Sequence, residues 1–230
     1  MSYRDLKQAA WEANMELQRR GLVLYTWGNV SQLDRARGVF AIKPSGVPYE
    51  RLGPDDMVVV DLDNDIVEGK LKPSSDTRTH THLYRHFEVI AGVTHTHSTY
   101  ATAWAQAQQA IPCFGTTHAD YAYGPIPCTA VMSDEQITRD YEEETGVQIT
   151  DAFAGRDPGA TPMVIVAGHA PFTWGKDAAE SVYYAVVLEE IARMAYLTQT
   201  IDPSAGPLKQ EIVDKHYRRK HGKGAYYGQG

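Results

Sequence analysis

Two histidines separated by one residue give this sequence its densest chemical signal. His95 and His97 follow the apolar run 89–94, which is predicted to be a buried strand. Side chains alternate along a strand, so residues i and i+2 project to the same face and both imidazoles can reach one ion. His169 has a similar place after the apolar run 163–167. Three histidines suit zinc or a similar divalent ion, so these positions indicate a metal site.

Each of these histidines also has an ordinary structural explanation. His95 and His97 could be polar residues at a strand end that hydrogen-bond to backbone or water, because a His-x-His pair is short and common. A second pair, His82 and His86, lies four residues apart on a predicted helix. No glutamate follows His82 as the HExxH zinc motif requires, and we expect that helix to lie on the surface.

Three short segments combine small residues with hydroxyl or amide donors. They are Thr26-Trp27-Gly28-Asn29, Lys43-Pro44-Ser45-Gly46 and Lys72-Pro73-Ser74-Ser75-Asp76. Exposed backbone N–H groups, short polar side chains and a lysine are what a compact anion needs, so together the segments predict a phosphate cradle. Each segment taken alone is more typical of an ordinary turn, because Gly, Pro, Ser and Asn are turn residues. Neither the GxxxxGK[ST] phosphate loop nor the GxGxxG dinucleotide turn occurs, so no nucleotide cofactor is implied.

Apolar periodicity predicts the elements that hold these groups in place. Helices are predicted over residues 3–20, 77–86, 100–109, 134–153, 177–200 and 208–220, and strands over 30–33, 39–42, 57–62, 89–94 and 163–167. Ser133 and Gln136 fit a capping box before the fourth helix. Turn residues separate the short strands, which indicates a largely antiparallel sheet. The alternation of helices and strands favours a single three-layer α/β/α domain over residues 1–230.

Composition limits the kinds of partner. With 230 residues, 43% of them hydrophobic, the chain can bury a sizeable core. Its formal charge of −7 argues against nucleic acid and anionic membrane surfaces, so we expect a small-molecule partner. The sequence has neither an apolar stretch of about 18–20 residues nor a signal peptide, which favours a cytoplasmic protein. Cys113 and Cys128 form no CxxC pair, so neither a disulfide framework nor a cysteine zinc site is indicated.

The polar segments, taken in chain order, resemble a known family. They are Thr-Trp-Gly-Asn-Val-Ser (26–31), Lys-Pro-Ser-Gly (43–46), Lys-Pro-Ser-Ser-Asp-Thr (72–77), His-Thr-His-Ser (95–98), Gly-Thr-Thr-His-Ala-Asp-Tyr (115–121) and the tail Lys-His-Gly-Lys-Gly-Ala-Tyr-Tyr-Gly-Gln (220–229). This set closely resembles the L-ribulose-5-phosphate 4-epimerases, which belong to the class II aldolase superfamily. The resemblance covers nearly the whole chain.

Matched position by position, the resemblance implies roles for individual residues. One divalent ion per subunit would be bound by His95, His97 and His169, with Asp76 beside them as a carboxylate that can ligate or respond to the ion. The substrate and its phosphate would contact Gly28, Asn29, Ser45, Gly46, Ser74 and Ser75, with Lys43 as an addition. The acid/base pair would be Asp120 and, from a neighbouring subunit, Tyr227, with His216 as a supporting residue. The match selects Tyr227 over the adjacent Tyr226.

The resemblance also implies a reaction and an assembly. Such enzymes interconvert L-ribulose 5-phosphate and D-xylulose 5-phosphate by breaking and re-forming the C3–C4 bond with a divalent metal, for which we expect Zn²⁺, with Mn²⁺ or Co²⁺ as alternatives. The expected fold is α/β/α, assembled as a ring-shaped homotetramer, with the tail at about residues 221–230 completing a neighbouring subunit's active site. The same epimerisation serves arabinose and ascorbate breakdown, and the residues do not separate these pathways.

Two other classes of function remain open at this stage. One is a class II sugar-phosphate aldolase that releases its products and uses the same metal and phosphate cradle. The fuculose-phosphate aldolases carry a glutamate where this chain has Asp76, and this chain also has Asp120 and the tyrosine tail, so the epimerase is favoured. The other is a non-enzymatic scaffold or sugar-binding member of the superfamily. Loss of the metal histidines would mark such a scaffold, whereas His95, His97 and His169 are all present.

Overall fold

A seven-stranded sheet forms the middle layer of the protein. The computed structural model describes residues 3–221 and 225–226. The strands are β1 (Asn29–Asp34), β2 (Val39–Ile42), β3 (Val58–Asp61), β4 (Ile66–Glu68), β5 (Gly92–His95), β6 (Met163–Ile165) and β7 (Pro171–Gly175). Within the described residues they lie in the order β4-β3-β2-β1-β5-β7-β6, and all neighbouring pairs are antiparallel. The expected antiparallel sheet is confirmed.

Helices cover both faces of this sheet. They are α1 (Tyr3–Arg19), α2 (Thr77–His86), α3 (Thr99–Gln106), α4 (Thr116–Ala119), α5 (Asp134–Ala152), α6 (Ala178–Ile201) and α7 (Gln210–Lys220), with 3-10 turns at Tyr49–Arg51 and Pro54–Asp56. Helices α2 and α5 pack together on one face, whereas α1, α3 and α6 lie on the other. This arrangement confirms the three-layer α/β/α fold. Of the helices described, none is both long enough and apolar enough to cross a membrane.

Strand β2 shows how the sequence produces two hydrophobic layers. Phe40 and Ile42 pack with the residues of α2 and α5, whereas Val39 and Ala41 pack with those of α1. This alternation follows from the two-residue period of a strand. Complete burial of a side chain as large as Phe40 contributes about 1.5–3 kcal/mol. Because side chains of β2 are buried on both faces, packing on both faces stabilises the sheet.

The structure corrects several predicted strands. The strand expected at 89–94 begins only at Gly92, because Val89 lies in a turn and is 67% exposed. Gly92 itself lies against the start of α6, where a Cβ would be 2.1 Å from the carbonyl oxygen of Asp177. The short strands β4 and β7 were not predicted. All three residues of β4 are exposed, so it lacks the apolar alternation from which strands are recognised.

Helix α2 lies where we expected but is not on the surface. His82 is 7% exposed, and α5 passes so close that a Cβ on Gly146 would be 2.6 Å from the Cβ of His82. The polar side chains of α2 find partners on α5: Nδ1 of His82 lies 2.8 Å from Glu143 Oε1, and Thr79 donates to the carbonyl of Glu142 at 2.6 Å. The surface interpretation was wrong because hydrogen bonding makes burial of such polar groups tolerable.

Candidate active site

Three histidines converge at one edge of the central strands. His95 is the last residue of β5, His97 follows it, and His169 lies in the turn between β6 and β7. Their potential ligand atoms all lie within 4.8 Å of one another. The Nε2 atoms of His95 and His97 are 3.1 Å apart. Two imidazole nitrogens bound tetrahedrally to one Zn²⁺ at about 2.0–2.1 Å would be roughly 3.3 Å apart, so the spacing suits a shared ion.

His169 reaches this position through a hairpin turn, not at the end of the strand as we expected. Strand β6 ends at Ile165, and the carbonyl of Ala170 accepts a hydrogen bond from the N–H of Val166 at 3.0 Å across the turn. Gly168 has φ +71°, a conformation that glycine adopts without strain. Strand β7 then pairs with β5, and this pairing brings the turn beside His95.

The protonation of these histidines fits metal binding. The Nδ1 atom of His95 lies 3.0 Å from the carbonyl oxygen of Pro171, which can only accept, so Nδ1 is the donor of this hydrogen bond and Nε2 is the nitrogen directed toward His97 and a shared ion. Burial lowers the pKa of His97 to about 4 and that of His169 to about 3, so both are neutral at neutral pH. The buried Nδ1 of His169 has no hydrogen-bond partner among the described residues. Such an unsatisfied atom is costly, and the donor set is that of a divalent metal site.

Asp76 lies in the same cavity but outside the group of three histidines. Its Oδ2 accepts hydrogen bonds from Asn29 at 2.6 Å and from Ser74 at 3.4 Å. Burial acts to raise the pKa of Asp76, but His95, His80 and the Asn29 hydrogen bond outweigh it, so the pKa lies below its usual value. The site thus contains a carboxylate beside the imidazoles, while direct ligation by Asp76 stays a prediction.

The predicted phosphate cradle opens into this cavity, whose volume is about 640 Å³. All of the residues expected to bind substrate line it: Gly28, Asn29, Lys43, Ser45, Gly46, Ser74 and Ser75. Their convergence with the histidines supports the three-loop interpretation over three unrelated turns. Gly28 explains part of this closeness. Its φ is +73°, and a Cβ there would lie 2.8 Å from the carbonyl oxygen of His95, so only glycine lets the first loop approach β5.

The two Lys-Pro-Ser segments pair with each other. Ser45 donates its backbone N–H to the carbonyl of Lys72 at 3.0 Å, and Ser74 donates to that of Lys43 at 3.0 Å. Gly46 has φ +69°, and the space where its Cβ would lie is open. The pairing holds two sets of short polar side chains side by side at the wall of the cavity.

Lys43 is the cationic group of the cradle. It is 1% exposed, and its Nζ lies 3.4 Å from the carbonyl oxygens of Thr26 and Pro44 and 4.9 Å from the centroid of the Tyr49 ring. Burial lowers its pKa to about 8. Within the described part of the chain no carboxylate forms an ion pair with it. A buried ammonium group in this setting suits an anionic ligand.

Sequence reasoning missed two residues of the cavity wall, Tyr141 and Glu142. They follow Asp140, where α5 is interrupted by the non-helical angles φ −163° and ψ 94°. The Tyr141 ring lies 5.9 Å from that of His169, centroid to centroid. Burial raises the pKa of Tyr141. Continuous helical periodicity concealed the kink, although the predicted capping box of Ser133 is present.

Asp120 lies outside this cavity, at the contact between α4 and α7. Its carboxylate accepts hydrogen bonds from Arg219 Nε at 2.8 Å and from His216 Nδ1 at 3.1 Å, and Lys220 Nζ is 3.9 Å away. Desolvation acts to raise the pKa of Asp120, but the Arg219 and His216 hydrogen bonds and the Lys220 charge keep it below its usual value. His216 is therefore beside Asp120, as expected. Tyr227 lies outside the described residues.

The predicted site residues thus form two groups within one chain. The histidines, Asp76 and the cradle share the cavity, whereas Asp120 and His216 belong to the surface formed by α4 and α7, which we call the Asp120 surface. The neighbouring Tyr226 donates its N–H to the carbonyl of Arg219 at 2.9 Å, so the described part of the tail also lies at the Asp120 surface.

Comparison with known proteins finds relatives over nearly the whole chain. Residues 8–196 match the family model described as Class II Aldolase and Adducin N-terminal domain. The chain is 54% identical over 224 residues to the L-ribulose-5-phosphate 4-epimerase UlaF of Salmonella paratyphi B, covering 97% of this chain and 98% of that protein. The protein of the same name from Salmonella typhi has the same identity and coverage.

Solved structures share the fold at lower sequence identity. An L-fuculose 1-phosphate aldolase superposes with a TM-score of 0.82 at 23% identity, covering 94% of this chain and 95% of that one. YgbL from Klebsiella pneumoniae, described as a putative aldolase/epimerase/decarboxylase, has a TM-score of 0.72 at 22% identity and covers 94% and 99%. At these identities the structures are similar in fold alone.

Proposed function

Because this chain belongs to the class II aldolase family and, within it, to the L-ribulose-5-phosphate 4-epimerases, we propose that it interconverts L-ribulose 5-phosphate and D-xylulose 5-phosphate. The family membership confirms the prediction of an enzyme of the isomerase class. The observation that carries the proposed reaction is the convergence of the phosphate cradle and the three histidines in one cavity. Its volume of about 640 Å³ is in the usual range for small-molecule sites, about 300–1,000 Å³.

The reaction explains why both halves of this cavity are needed. C4 of a 2-ketose carries a hydroxyl but no acidic proton, so its configuration cannot be inverted by simple deprotonation. The C3–C4 bond must open, the aldehyde fragment must turn to present its other face, and the bond must form again. The phosphate is carried by the fragment that turns, so the cradle has to hold it throughout. Lys43 and the paired serine loops are suited to this role because they offer a buried cation and fixed hydrogen-bond donors.

We assign the metal to His95, His97 and His169, with Asp76 within the same cavity. A divalent ion, for which Zn²⁺ is the first candidate and Mn²⁺ or Co²⁺ are alternatives, would supply a Lewis acid that stabilises negative charge on the substrate's oxygens when the C3–C4 bond breaks. Asn29 donates to the Asp76 carboxylate at 2.6 Å, and this hydrogen bond fixes the orientation of the carboxylate within the cavity.

Two acid/base groups must act on opposite sides of the aldehyde. One removes the proton of the C4 hydroxyl before cleavage, and the other returns a proton after the fragment has turned. We assign the Asp120 carboxylate and the Tyr227 phenol to these steps. The family resemblance implies a neighbouring subunit for Tyr227 alone. Because Asp120 also lies outside the cavity of its own chain, the assignment places Asp120 on a neighbouring subunit as well, whose Asp120 surface would cover the cavity. We therefore propose a homo-oligomer, as a homotetramer with active sites between subunits, acting in the cytoplasm.

The first test is turnover of L-ribulose 5-phosphate by metal-loaded and chelator-treated protein, with D-xylulose 5-phosphate and free aldehyde measured separately. We expect metal-dependent formation of D-xylulose 5-phosphate with little free aldehyde. Accumulation of free aldehyde would instead identify an aldolase that releases its products. Absence of turnover with loaded protein would contradict the proposal.

A further inference from the structure

His80 is a buried histidine beside the cavity to which the proposed mechanism gives no role. Its side chain is 0% exposed. Nδ1 lies 2.7 Å from the hydroxyl of Ser31, whereas Nε2 has no hydrogen-bond partner among the described residues. Burial lowers the pKa of His80 to about 3, so the imidazole is neutral. A buried polar atom without a partner costs about 1–3 kcal/mol, so its presence here calls for an explanation.

Two polar contacts join strand β1 to helix α2 and to Asp76, the residue before it. We call this pair of contacts the ladder and each contact a rung. Asn29 donates to Asp76 at 2.6 Å, and Ser31 meets His80 at 2.7 Å. On the strand, two residues span about 6.6–6.8 Å; on the helix, four residues span about 6.0 Å. The two spacings nearly match, so one face of the strand can meet one face of the helix at successive positions. The contact between Ser31 and His80 therefore fixes how α2 is aligned along β1, and this alignment sets the position in which Asn29 holds Asp76.

A tyrosine of α2 also hydrogen-bonds to Ser31. Tyr84, one helical turn beyond His80, is wholly buried, and its hydroxyl lies 2.6 Å from that of Ser31. The same phenol donates to the carbonyl of Ser31 at 3.2 Å. Ser31 is thus held between two side chains of α2, and this restricts the orientation of the His80 ring.

His80 is also linked to two residues of the metal centre, Asp76 and His95. The backbone N–H of His80 donates to the backbone carbonyl of Asp76 at 3.0 Å, in the first turn of α2. The ring of Phe172 meets the His80 ring edge-on at 6.2 Å and stacks on the His95 ring at 4.2 Å, centroid to centroid. A change of the His80 side chain would therefore alter the contact with Ser31 on one side and the packing of Phe172 against His95 on the other.

We propose that His80 is a positioning residue of the metal centre, which fixes Asp76 through the ladder and His95 through the shared Phe172 ring. The inference rests on the proposed metal-dependent function, because it takes these residues as the metal centre. Residues that orient metal ligands typically change metal affinity or activity by about 10- to 100-fold when replaced. His80 touches neither the ion nor the substrate in this account, so its effect is on the geometry of the ion's surroundings.

The experiment is a titration of metal-free protein with Co²⁺ alone, followed by the visible absorption of the bound ion. His80→Ala should raise the Kd for Co²⁺ by about 10- to 100-fold and alter the absorption band. His80→Asn places an amide at the position of Nδ1 and restores contact with Ser31, so it should recover part of the affinity. A purely structural void would not be corrected in this way. His82→Ala is the matched control, because His82 is also buried in α2 but its partners lie on α5.

The inference is overturned if folded His80→Ala binds Co²⁺ with the Kd and absorption band of the unaltered protein, or if His82→Ala weakens binding equally. Should His80→Ala fail to fold, Ser31→Ala decides, since it removes the rung but keeps the imidazole: an unchanged Kd overturns the inference, and a raised Kd supports it. If the unaltered protein binds no Co²⁺, both the metal centre and this inference fall. If it binds Co²⁺ but does not turn over the substrate, the proposed function falls while the titration still tests His80.

Discussion

The cavity and the Asp120 surface differ in how their polar groups are satisfied. In the cavity the buried Nδ1 of His169 has no partner within the described chain, and Lys43 contacts carbonyl oxygens at 3.4 Å. At the Asp120 surface the carboxylate is already held by Arg219 and His216. The cavity thus has groups that suit a cation and an anion, whereas the Asp120 carboxylate already has cationic partners in Arg219 and Lys220. This difference fits the proposed roles, in which the cavity binds metal and substrate and the Asp120 surface supplies a carboxylate held in one orientation.

The largest expected effect comes from removing a ligand from the cavity. His97→Asn should lower kcat/KM by on the order of 10³-fold or more, because metal catalysis supplies several kcal/mol and about 1.4 kcal/mol corresponds to tenfold. His97 lines the cavity and lies outside the hydrophobic core, so the fold should be unaffected. Metal content and thermal unfolding are measured beside activity. Full activity in a variant that has lost its metal would contradict the assignment of a catalytic metal to the cavity.

At the Asp120 surface, Asp120→Asn should lower kcat by about 10²–10³-fold, in the range of general acid/base catalysis, while metal content stays constant. The amide still offers an oxygen to Arg219, so folding should be preserved. Asp214→Asn is the control, because Asp214 is a carboxylate on the neighbouring helix α7 whose partners among the described residues include the Tyr123 hydroxyl at 2.7 Å and Gln210 at 2.8 Å, not Arg219 or His216.

Subunit mixing sharpens this second prediction. The inactive His97→Asn and Asp120→Asn variants, unfolded and reassembled together, should regain part of the activity, because some sites would combine an intact cavity with an intact Asp120 surface. No recovery despite verified exchange of subunits would mean that the two regions do not act across a subunit boundary.

For the tail, Tyr227→Phe should lower kcat by about 10²-fold with little effect on metal content, since only a proton-transfer group is removed. Tyr226→Phe should leave kcat unchanged, because Tyr226 is 72% exposed and contacts Arg219 through its backbone N–H. The pair of variants is compared by steady-state kinetics. A loss at Tyr226 instead of Tyr227 would reverse the assignment taken from the family resemblance.

The smallest expected effect concerns the cradle and pH. Lys43→Met should raise KM by about tenfold, the value of one charge-assisted hydrogen bond. The pKa of Lys43 is lowered by burial to about 8, so above that pH the group loses its charge and its attraction for phosphate. Phosphate esters are already dianions there, with a second pKa of about 6. The inhibition constant of inorganic phosphate should therefore rise above about pH 8, and Lys43→Met should abolish this rise. A pH-independent constant in the unaltered protein would contradict the role of Lys43.

The sequence predicted elements whose patterns are local. The buried positions of α1, Leu6, Ala10, Ala13 and Leu17, recur at helical spacing, and the observed helix ends within one residue of the prediction. The kink at Asp140 was not predicted. There the Asp140 carboxylate accepts a hydrogen bond from the N–H of Glu143 within α5 and also pairs with Arg78 of α2, a contact distant in sequence. Likewise β7 is fixed by pairing with β5 and β6, which are contacts distant in sequence.

The candidate site divides in the same way. His95, His97 and the cradle were recognisable because alternation and turn chemistry act over a few residues. The polar composition of α2 suggested a surface helix, so the burial of His80 was missed; a protein interior accepts such residues only when another element supplies partners, and one sequence does not identify that element. The roles of Asp120 and Tyr227 came from family resemblance, since no spacing in the sequence relates them to the histidines.

The position of His169 in a hairpin turn means that a bound ion would also stabilise the folded protein. An ion bound there would join the end of β5 to a turn far along the chain, acting as a removable cross-link within the folded sheet. A ligand that binds only the folded state stabilises it by about 2.7 kcal/mol at one hundred times its Kd. The supply of metal to this protein would then govern how long each molecule stays folded, in addition to how fast it works.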